Sequence, residues 1–101
     1  MTSSPIDLRP PMAERIEVRD EELVVDLADG RTLSIPVGWY PRLAHGTAAE
    51  RAEWRLLGRG SGVHWPRLDE DISVEDLVAG RPSNESQESL ARWLASRTPS
   101  A

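Results

Sequence analysis

The sequence predicts a small α+β domain, and three observations support that prediction. Apolar and polar residues alternate over residues 23–37, which is the period of a strand with one buried face. Helix-capping residues open two short stretches at Thr47 and Ser73, and residues 84–97 carry apolar side chains at helical spacing. A chain of 101 residues is long enough for one domain, so these elements are expected to share a single core.

The composition narrows the class of protein. Apolar residues make up 39% of the chain, which together with 7 Gly is the proportion usual in globular proteins and excludes wholesale disorder. The lack of Cys excludes a disulfide framework and a thiolate zinc site. No apolar run approaches the about 20 residues of a membrane-crossing helix, and residues 1–14 lack the pattern of a secretory signal. The chain is therefore expected to be cytoplasmic and to have no membrane partner.

The first third of the chain predicts a flexible arm, a short strand and a hairpin. Residues 1–13 contain prolines, which remove backbone donors, and they show no period, so they are expected to form the arm. Alternation then begins with a short strand at Ile16 and Val18. Two longer strands follow, whose apolar faces consist of Leu23, Val25 and Leu27 and of Leu33, Ile35 and Val37. The intervening Asp29-Gly30 predicts a hairpin turn.

The register of this hairpin selects the turn. A two-residue loop would set Val25 opposite the polar Ser34 and mix the two faces. A three-residue loop over residues 28–30 instead pairs Val25 with Leu33 and Leu23 with Ile35. It also places Gly30 at the left-handed position that closes a type I turn with a bulge.

The middle of the chain predicts a break in the sheet and a short helix. Pro41 cannot donate a hydrogen bond to a strand ladder, so the sheet is expected to end before it. Thr47 and Glu50 have the spacing of a capping box, with Thr47 as N-cap. The helix that they open is expected to end near Glu53.

A second hairpin and a further helix are predicted next. The apolar stretches 56–57 and 63–65 flank a glycine-rich stretch at 58–62, which favours a hairpin, with a longer helix capped at Gly58 as the alternative. Ser73 is the expected N-cap of a short helix that ends at Gly80, because acidic residues follow it in the first turn.

The last part of the chain spaces Leu90, Trp93 and Leu94 as one stripe and predicts an amphipathic helix. The predicted fold is therefore a small antiparallel sheet of two hairpins plus an N-terminal strand, about five strands in all, with short helices on one face. The α+β domain spans residues 14–80, and residues 81–101 form a linker and the C-terminal helix.

The net charge of −5 is unevenly distributed. Residues 1–38 carry four Arg against eight carboxylates, residues 39–67 five Arg against two, and residues 68–82 one Arg against five, which gives −4, +3 and −4. The basic middle stretch also contains three of the four Trp. Arg pairs with phosphates and aromatic rings stack on bases, so this stretch is a candidate nucleic-acid surface. Its candidate residues are Arg42, Arg55, Arg59 and Trp54.

A second explanation of the same stretch needs no ligand. The chain has no Phe, so the Trp residues are expected to replace it in the core, while the Arg residues pair with the protein's own carboxylates. A pI near 5.0 argues against general affinity for DNA. The sequence therefore favours this structural explanation and keeps nucleic-acid binding as an alternative.

No catalytic or metal site is predicted. The glycine-rich stretch 58–62 lacks the spacing of a phosphate loop and of a nucleophile elbow. His64 precedes the acidic run Asp69-Glu70-Asp71 at a spacing that matches no metal ligand set. His64 is expected instead to form a structural hydrogen bond, and the acidic run is expected to be solvated and to lead into the helix that begins after Ser73. The sequence thus predicts a non-enzymatic protein without metal or cofactor, and a metal-dependent enzyme using His64 and the acidic run is a third interpretation.

Several stretches together resemble a known family. They are Asp29-Gly30-Arg31, Trp39-Tyr40-Pro41-Arg42-Leu43, Glu50-Arg51, Trp54, Gly58 and residues 62–77. The most specific part reads H-W-P-x-L-D-E-D-I-S-V, and residues 14–80 are similar to the prokaryotic domain-of-unknown-function family 2442. The resemblance implies a small α+β fold without an established enzymatic activity or cofactor. Because members are often encoded beside another small uncharacterised protein, it also implies a partner-binding or antitoxin-like role.

Two classes of function therefore stand. The first is association with another protein, expected to be a small one encoded nearby, through the acidic run Asp69, Glu70 and Asp71 or through Trp93 on the final helix. The second is a nucleic-acid-binding regulator that uses the basic middle stretch. Formation of a homo-oligomer is compatible with either class.

Overall fold

A computed structural model describes residues 10–97 and confirms the α+β class. Within these residues six strands occur: β1 (Ala13–Val18), β2 (Glu22–Leu27), β3 (Thr32–Pro36), β4 (Arg55–Leu57), β5 (Gly62–Trp65) and β6 (Glu70–Ser73). The helices are α1 (Pro41–Ala44), α2 (Ala48–Ala52), α3 (Val74–Ala79) and α4 (Gln87–Ser96), and a 3₁₀ turn covers Val37–Trp39. None of the helices over residues 10–97 has the length and apolar composition required to cross a bilayer.

The first sheet has the strand order β1-β2-β3, and its hairpin has the predicted register. Leu23 lies opposite Ile35 and Val25 opposite Leu33. The Leu27 N–H donates to the carbonyl of Arg31 at 2.8 Å, which leaves the three-residue loop 28–30 between the strands. Gly30 has a φ of 97°, so the predicted left-handed position is confirmed.

The second sheet has the order β4-β5-β6 and contains a strand that the sequence did not predict. The hairpin of β4 and β5 is confirmed, and the alternative of a helix capped at Gly58 is wrong because Arg55 already begins β4. The acidic run was expected to lead into the α3 helix, but Glu70 and Asp71 belong to β6. Ile72 is the only apolar residue of that strand, so alternation along the sequence is too short to detect it. The fold therefore has two three-stranded sheets in place of one sheet of about five strands.

Both sheets contribute to one core, in which Trp65 and Tyr40 supply the aromatic side chains that Phe would otherwise provide. Trp65 is fully buried, and its indole N–H donates to the Arg51 carbonyl at 3.1 Å. Tyr40 is also buried, whereas Trp39 is 38% exposed. The other large side chains that are fully buried are Leu23, Leu43, Leu68, Val25, Val63 and Val74. The Trp residues thus divide between core and surface.

The predicted helix caps are confirmed. Thr47 and Glu50 form both hydrogen bonds of a capping box at the start of α2, and Glu53 is its C-cap. The Ser73 hydroxyl accepts from the N–H of Asp76 at the start of α3, and that helix ends at Gly80 in a left-handed conformation. Local sequence rules therefore set the limits of both helices.

The C-terminal helix α4 is attached to the domain mainly through Trp93 and Arg97. Trp93 is half-buried and packs against the edge of the core. The guanidinium carbons of Arg42 and Arg97 lie 5.1 Å and 4.4 Å from the centre of its ring system, which are cation–π distances. Arg97 also pairs with Glu50 on α2 at 2.7 Å. No residue of α4 is fully buried, so these contacts hold a helix that leaves much of its surface exposed.

The two sheets meet where Ala13 contacts Gly60. The Ala13 N–H donates to the Gly60 carbonyl at 2.7 Å, and Gly60 has a φ of 108°. A Cβ atom on Gly60 would lie 2.2 Å from the Ala13 carbonyl oxygen, which is far inside van der Waals contact. Ala13, placed by the sequence in the N-terminal arm of residues 1–13, is thus the first residue of β1. The rest of that arm up to residue 9, like residues 98–101, lies outside the described residues.

Replacement of Gly30 with Val is expected to destabilise the protein by more than about 1 kcal/mol, because a β-branched residue is strained at this positive φ. Gly38→Val is the matched control, since both glycines have open space for a Cβ and only Gly30 has a positive φ. Thermal melts of the two variants and the wild type measure the difference. Equal melting temperatures for Gly30→Val and the wild type would contradict the turn assignment.

Gly60→Ala is expected to cost more stability than Gly30→Ala. At Gly60 a positive φ coincides with a backbone oxygen 2.2 Å from the new Cβ, whereas the Cβ at Gly30 has no neighbour within 4 Å. We expect a loss of about 2 kcal/mol or more in urea unfolding for Gly60→Ala. If the two variants lose the same free energy of unfolding, Ala13 does not approach Gly60 closely enough to exclude a Cβ atom.

Candidate functional site

An acidic groove runs between β6 and the extended segment 81–86, with a volume of about 680 Å³. Five of the described residues that line it carry carboxylates: Asp69, Glu70, Asp71, Asp76 and Glu85. The lining residues include two Arg, Arg42 and Arg81, so the formal charge is −3 when all the carboxylates are ionised. This concentration of negative charge makes the groove the candidate functional site.

The turn between β5 and β6 presents Asp69 to the groove. Leu68 is fully buried and anchors the turn to the core. Asp69 has a φ of 51°, a left-handed conformation that Asp tolerates better than most residues. Its carbonyl accepts a hydrogen bond from Arg42 Nη1 at 2.9 Å, while its carboxylate is 88% exposed. Arg42 therefore fixes the backbone of the turn. Its Nη1 also lies 3.6 Å from the Asp69 carboxylate, whose surface stays mostly in solvent.

Arg42 connects three parts of the site. Its Nε donates to Glu85 at 2.9 Å, and its Nη2 lies 2.5 Å from the same carboxylate. These side chains are only 16% and 11% exposed, so the pair is sheltered from solvent. The hydrogen bonds from Arg42 lower the pKa of Glu85. Because Arg42 also faces Trp93, it links the acidic turn, the linker and the final helix.

Glu70 is the carboxylate in the groove whose ionisation is the most perturbed. Burial raises its pKa to about 7, the charges of Glu85 and Asp71 act in the same direction, and the charge of Arg42 opposes the shift. Its Oε1 also accepts a hydrogen bond from the N–H of Asp71 at 3.2 Å. Glu70 therefore changes charge near neutral pH while it lies against the outer edge of β6.

The wall opposite β6 is held by two hydrogen bonds that involve its backbone, one from a side chain and one from another backbone group. The Tyr40 hydroxyl donates to the Arg81 carbonyl at 2.7 Å, and the Ser83 N–H donates to the Trp39 carbonyl at 3.0 Å. Burial raises the pKa of Tyr40 to about 12, so the hydroxyl keeps the proton that it donates. Arg81 pairs with Asp76 at 2.8 Å at the end of the groove.

The structure brings together most of the partner-binding residues that the sequence suggested. Asp69, Glu70 and Asp71 all line the groove. Trp93 lies outside its lining but is in contact with Arg42, which belongs to the wall. The sequence did not single out Asp76 or Glu85 for this site. Asp76 was counted in the acidic segment 68–82, but nothing in the sequence signals that Glu85 lies across from Arg42.

His64 has the structural hydrogen bond that the sequence predicted. His64 on β5 lies directly opposite Asp71 on β6, and its Nδ1 forms a hydrogen bond with Asp71 Oδ1. The pairing of β5 with β6 creates this contact, whereas spacing along the chain does not signal it. Within residues 10–97 no group of three or more His, Asp or Glu side chains is close enough to hold a metal ion.

The nucleic-acid candidates do not form one stacking surface. Arg42 is held by Glu85, and Trp54 is half-buried against the core. Arg55 and Arg59 are exposed and form no ion pair with any described residue. The aromatic rings of the basic middle stretch are divided, since Trp65 and Tyr40 belong to the core. Exposed Arg and exposed aromatic rings therefore do not alternate as a single-stranded nucleic acid requires.

Comparison with known proteins identifies a family and a shared fold. A family model described as "Protein of unknown function (DUF2442)" matches residues 13–83. None of the curated proteins matches the chain.

Two solved structures are similar to this one. A protein of unknown function from Rhodospirillum rubrum ATCC 11170 has a TM-score of 0.68 and 27% sequence identity, and the match covers 78% of this chain and 98% of that chain. An uncharacterized protein from Chromobacterium violaceum, solved by NMR, has a TM-score of 0.62 and 23% identity, over 89% of this chain and 79% of that chain. At 23% identity the second likeness establishes the fold alone.

Glu70→Gln is expected to change how stability depends on pH. The unfolded chain has an ordinary Glu pKa of 4.5, so it releases this proton at a lower pH than the folded protein does. The free energy of unfolding should therefore fall as the pH rises from about 4.5 through about 7 and stay lower above that range. Gln cannot ionise, so the variant should gain stability relative to the wild type between about pH 5 and about pH 8 in urea titrations.

Glu14→Gln is the control for this experiment, because it removes the same charge at an exposed position on β1. The stability difference between this variant and the wild type should change less over the same pH range. If the two variants give parallel pH profiles, the ionisation of Glu70 is not the cause of the pH dependence.

Proposed function

Since the chain belongs to the DUF2442 family, which is described as having no known function, we propose a function from the site itself: a non-enzymatic module that binds another protein through the acidic groove. The partner is a protein with a basic surface or segment. We propose further that it is a small protein encoded nearby, which this chain regulates in an antitoxin-like manner.

The observation that carries the proposal is the excess of carboxylates along one concave surface. Five carboxylates line the groove against two guanidinium groups, and both Arg already pair with carboxylates of the protein itself. Asp69 and Asp71 project most of their side-chain surface into solvent. Negative charge in this arrangement attracts a basic partner and raises its rate of association.

Trp93 supplies an apolar anchor beside that charge. Tryptophan and Arg residues dominate binding energy where they cluster at interfaces. The Trp93 ring is flanked by Arg42 and Arg97, whose charges are offset by Glu85 and Glu50, and these contacts hold the exposed part of the ring in place. The groove and Trp93 therefore form one continuous candidate surface through Arg42.

The non-enzymatic character is supported by how the polar groups beside the carboxylates are used. The hydroxyl of Ser73 caps α3, and the hydroxyl of Tyr40 donates to the Arg81 carbonyl. His64 is paired with Asp71. The two hydroxyls therefore have structural partners in place of the contact between nucleophile and base on which acyl transfer depends.

A second candidate function is nucleic-acid binding by Arg55 and Arg59. It is favoured by one observation, namely that both guanidinium groups are exposed and have no ion-pair partner among residues 10–97. The acidic groove and the pI near 5.0 oppose it.

The experiment is co-purification of the full chain with the product of the adjacent reading frame. Asp69→Ala combined with Asp71→Ala should weaken the complex by at least about tenfold at low salt, because it removes two exposed charges of the groove. Trp93→Ala should weaken it through faster dissociation. The matched control is Glu14→Ala combined with Glu17→Ala, which removes two exposed charges on β1, and it should bind as the wild type does.

Two outcomes would contradict the proposal. In the first, the groove variants, the Trp93 variant and the control bind the partner equally, or no neighbouring product binds at all. In the second, the chain forms a salt-dependent complex with nucleic acid at physiological salt that is lost on Arg55→Ala or Arg59→Ala. The second outcome would establish the nucleic-acid candidate in its place.

A further inference from the structure

Strand β6 lies at the edge of its sheet. The order β4-β5-β6 pairs it with β5 on one side, and no described strand lies on the other. An edge strand presents a row of unpaired N–H and C=O groups that can pair with another chain. The backbone groups on the outer side of β6 therefore have no partner strand among the described residues.

The hydrogen-bond pattern settles which groups point outward. The Val74 N–H donates to the Ser61 carbonyl at 2.9 Å, so this pair of residues occupies a hydrogen-bonded position of the antiparallel ladder. Bonded positions alternate with non-bonded ones. Ile72 and Glu70 therefore bond to β5, whereas the backbone groups of Asp71 and Ser73 face the open edge.

A second contact supports this assignment. The N–H of Asp71 donates to the side chain of Glu70 at 3.2 Å, which is a bond directed away from β5. Among residues 10–97 no turn, loop or side-chain hydrogen bond reaches the Asp71 carbonyl or the Ser73 N–H. The outer edge thus offers the Asp71 carbonyl as an acceptor and the Ser73 N–H as a donor. The Asp71 N–H becomes a second donor once the Glu70 side chain leaves it.

The acidic groove follows this edge. Every residue from 69 to 73 lines it, and its other wall is the segment 81–85. A space of about 680 Å³ is large enough for several residues of an extended chain. The geometry therefore leaves room for one more strand beside β6.

Charge selects the chain that can occupy this position. Pairing of β6 with β6 of a second copy would bring the acidic side chains of the two strands together, and like charges on neighbouring strands destabilise a sheet. Basic side chains on an added strand would instead lie beside Asp69 and Asp71, whose carboxylates are exposed. The favoured occupant is an extended segment with Arg or Lys at alternate positions.

We propose that β6 accepts such a basic segment of the partner protein as a fourth strand of the β4-β5-β6 sheet. The inference rests on the proposed function and specifies how the partner binds. Backbone hydrogen bonds to Asp71 and Ser73 contribute affinity, and the basic side chains contribute specificity. The Glu70 carboxylate has to leave the Asp71 N–H when the strand is added.

The experiment uses the full chain and a capped seven-residue peptide in which Arg alternates with Val. Binding is measured by calorimetry, and the backbone amides of Asp71 and Ser73 are followed by NMR. We expect saturable binding with shifts at both amides. A peptide of the same sequence that is N-methylated on the residues facing β6 keeps its charge, and it should bind more than about tenfold more weakly. Equal binding of the two peptides would overturn strand addition and leave the charge-based proposed function intact.

Two variants of Asp71 separate backbone from charge. Asp71→Asn removes the carboxylate and keeps the N–H, whereas Asp71→Pro removes both without removing a bond to β5. We expect Asp71→Pro to weaken peptide binding several-fold more than Asp71→Asn does. Equal effects would overturn the inference. It would also be overturned if sedimentation showed a dimer that the peptide converts to monomer, because a second copy would then occupy the edge. The N-methylated peptide tests the wild-type protein, so the inference stays testable if Asp71→Pro fails to fold.

Discussion

The hydrogen bond between Ala13 and Gly60 is the contact on which the relative position of the two sheets depends. It joins the first residue of β1 to the turn of the β4-β5 hairpin at 2.7 Å, and that approach is compatible only with glycine at position 60. The next residue of the same turn is Ser61, whose carbonyl accepts a hydrogen bond from the N–H of Val74. Val74 directly follows β6 and is the first residue of α3, so this bond holds the end of β6 beside β5. One glycine-dependent approach therefore fixes the hairpin to the first sheet and, through its neighbour, fixes the edge strand that borders the acidic groove.

The groove itself depends on Arg42. Burial raises the pKa of Glu70, and repulsion among the carboxylates that share this small space adds to the rise. Arg42 offsets the repulsion by pairing with Glu85 and by binding the carbonyl of the Asp69 turn. The same guanidinium also faces Trp93, so one side chain contacts both the final helix and the groove.

The sequence predicted those elements that depend on residues close together along the chain, such as hairpin turns and helix caps. The hairpin register followed from matching the face of Val25 with that of Leu33, and the α2 cap followed from the spacing of Thr47 and Glu50. Strand β6 was missed because its position is set by pairing with β5, and a strand with a single apolar residue has no readable period. Arg42 and Glu85 are 43 positions apart in the sequence, so no local sequence pattern predicts their contact. The sequence thus found the acidic run but not the wall that turns it into a groove.

The acidic edge of β6 has two physical consequences that support each other. Charged side chains on an edge strand are a common protection against association with identical copies, because they place like charges opposite one another. The same charges leave the Asp71 carbonyl and the Ser73 N–H accessible to a strand of opposite charge, while Glu70 occupies the Asp71 N–H. A structural role as protection would need only charge, whereas the second wall along residues 81–85 makes the edge one side of an open groove. The proposed addition of an extended strand rests on that second wall, and the preference for a basic strand rests on the carboxylates of the groove.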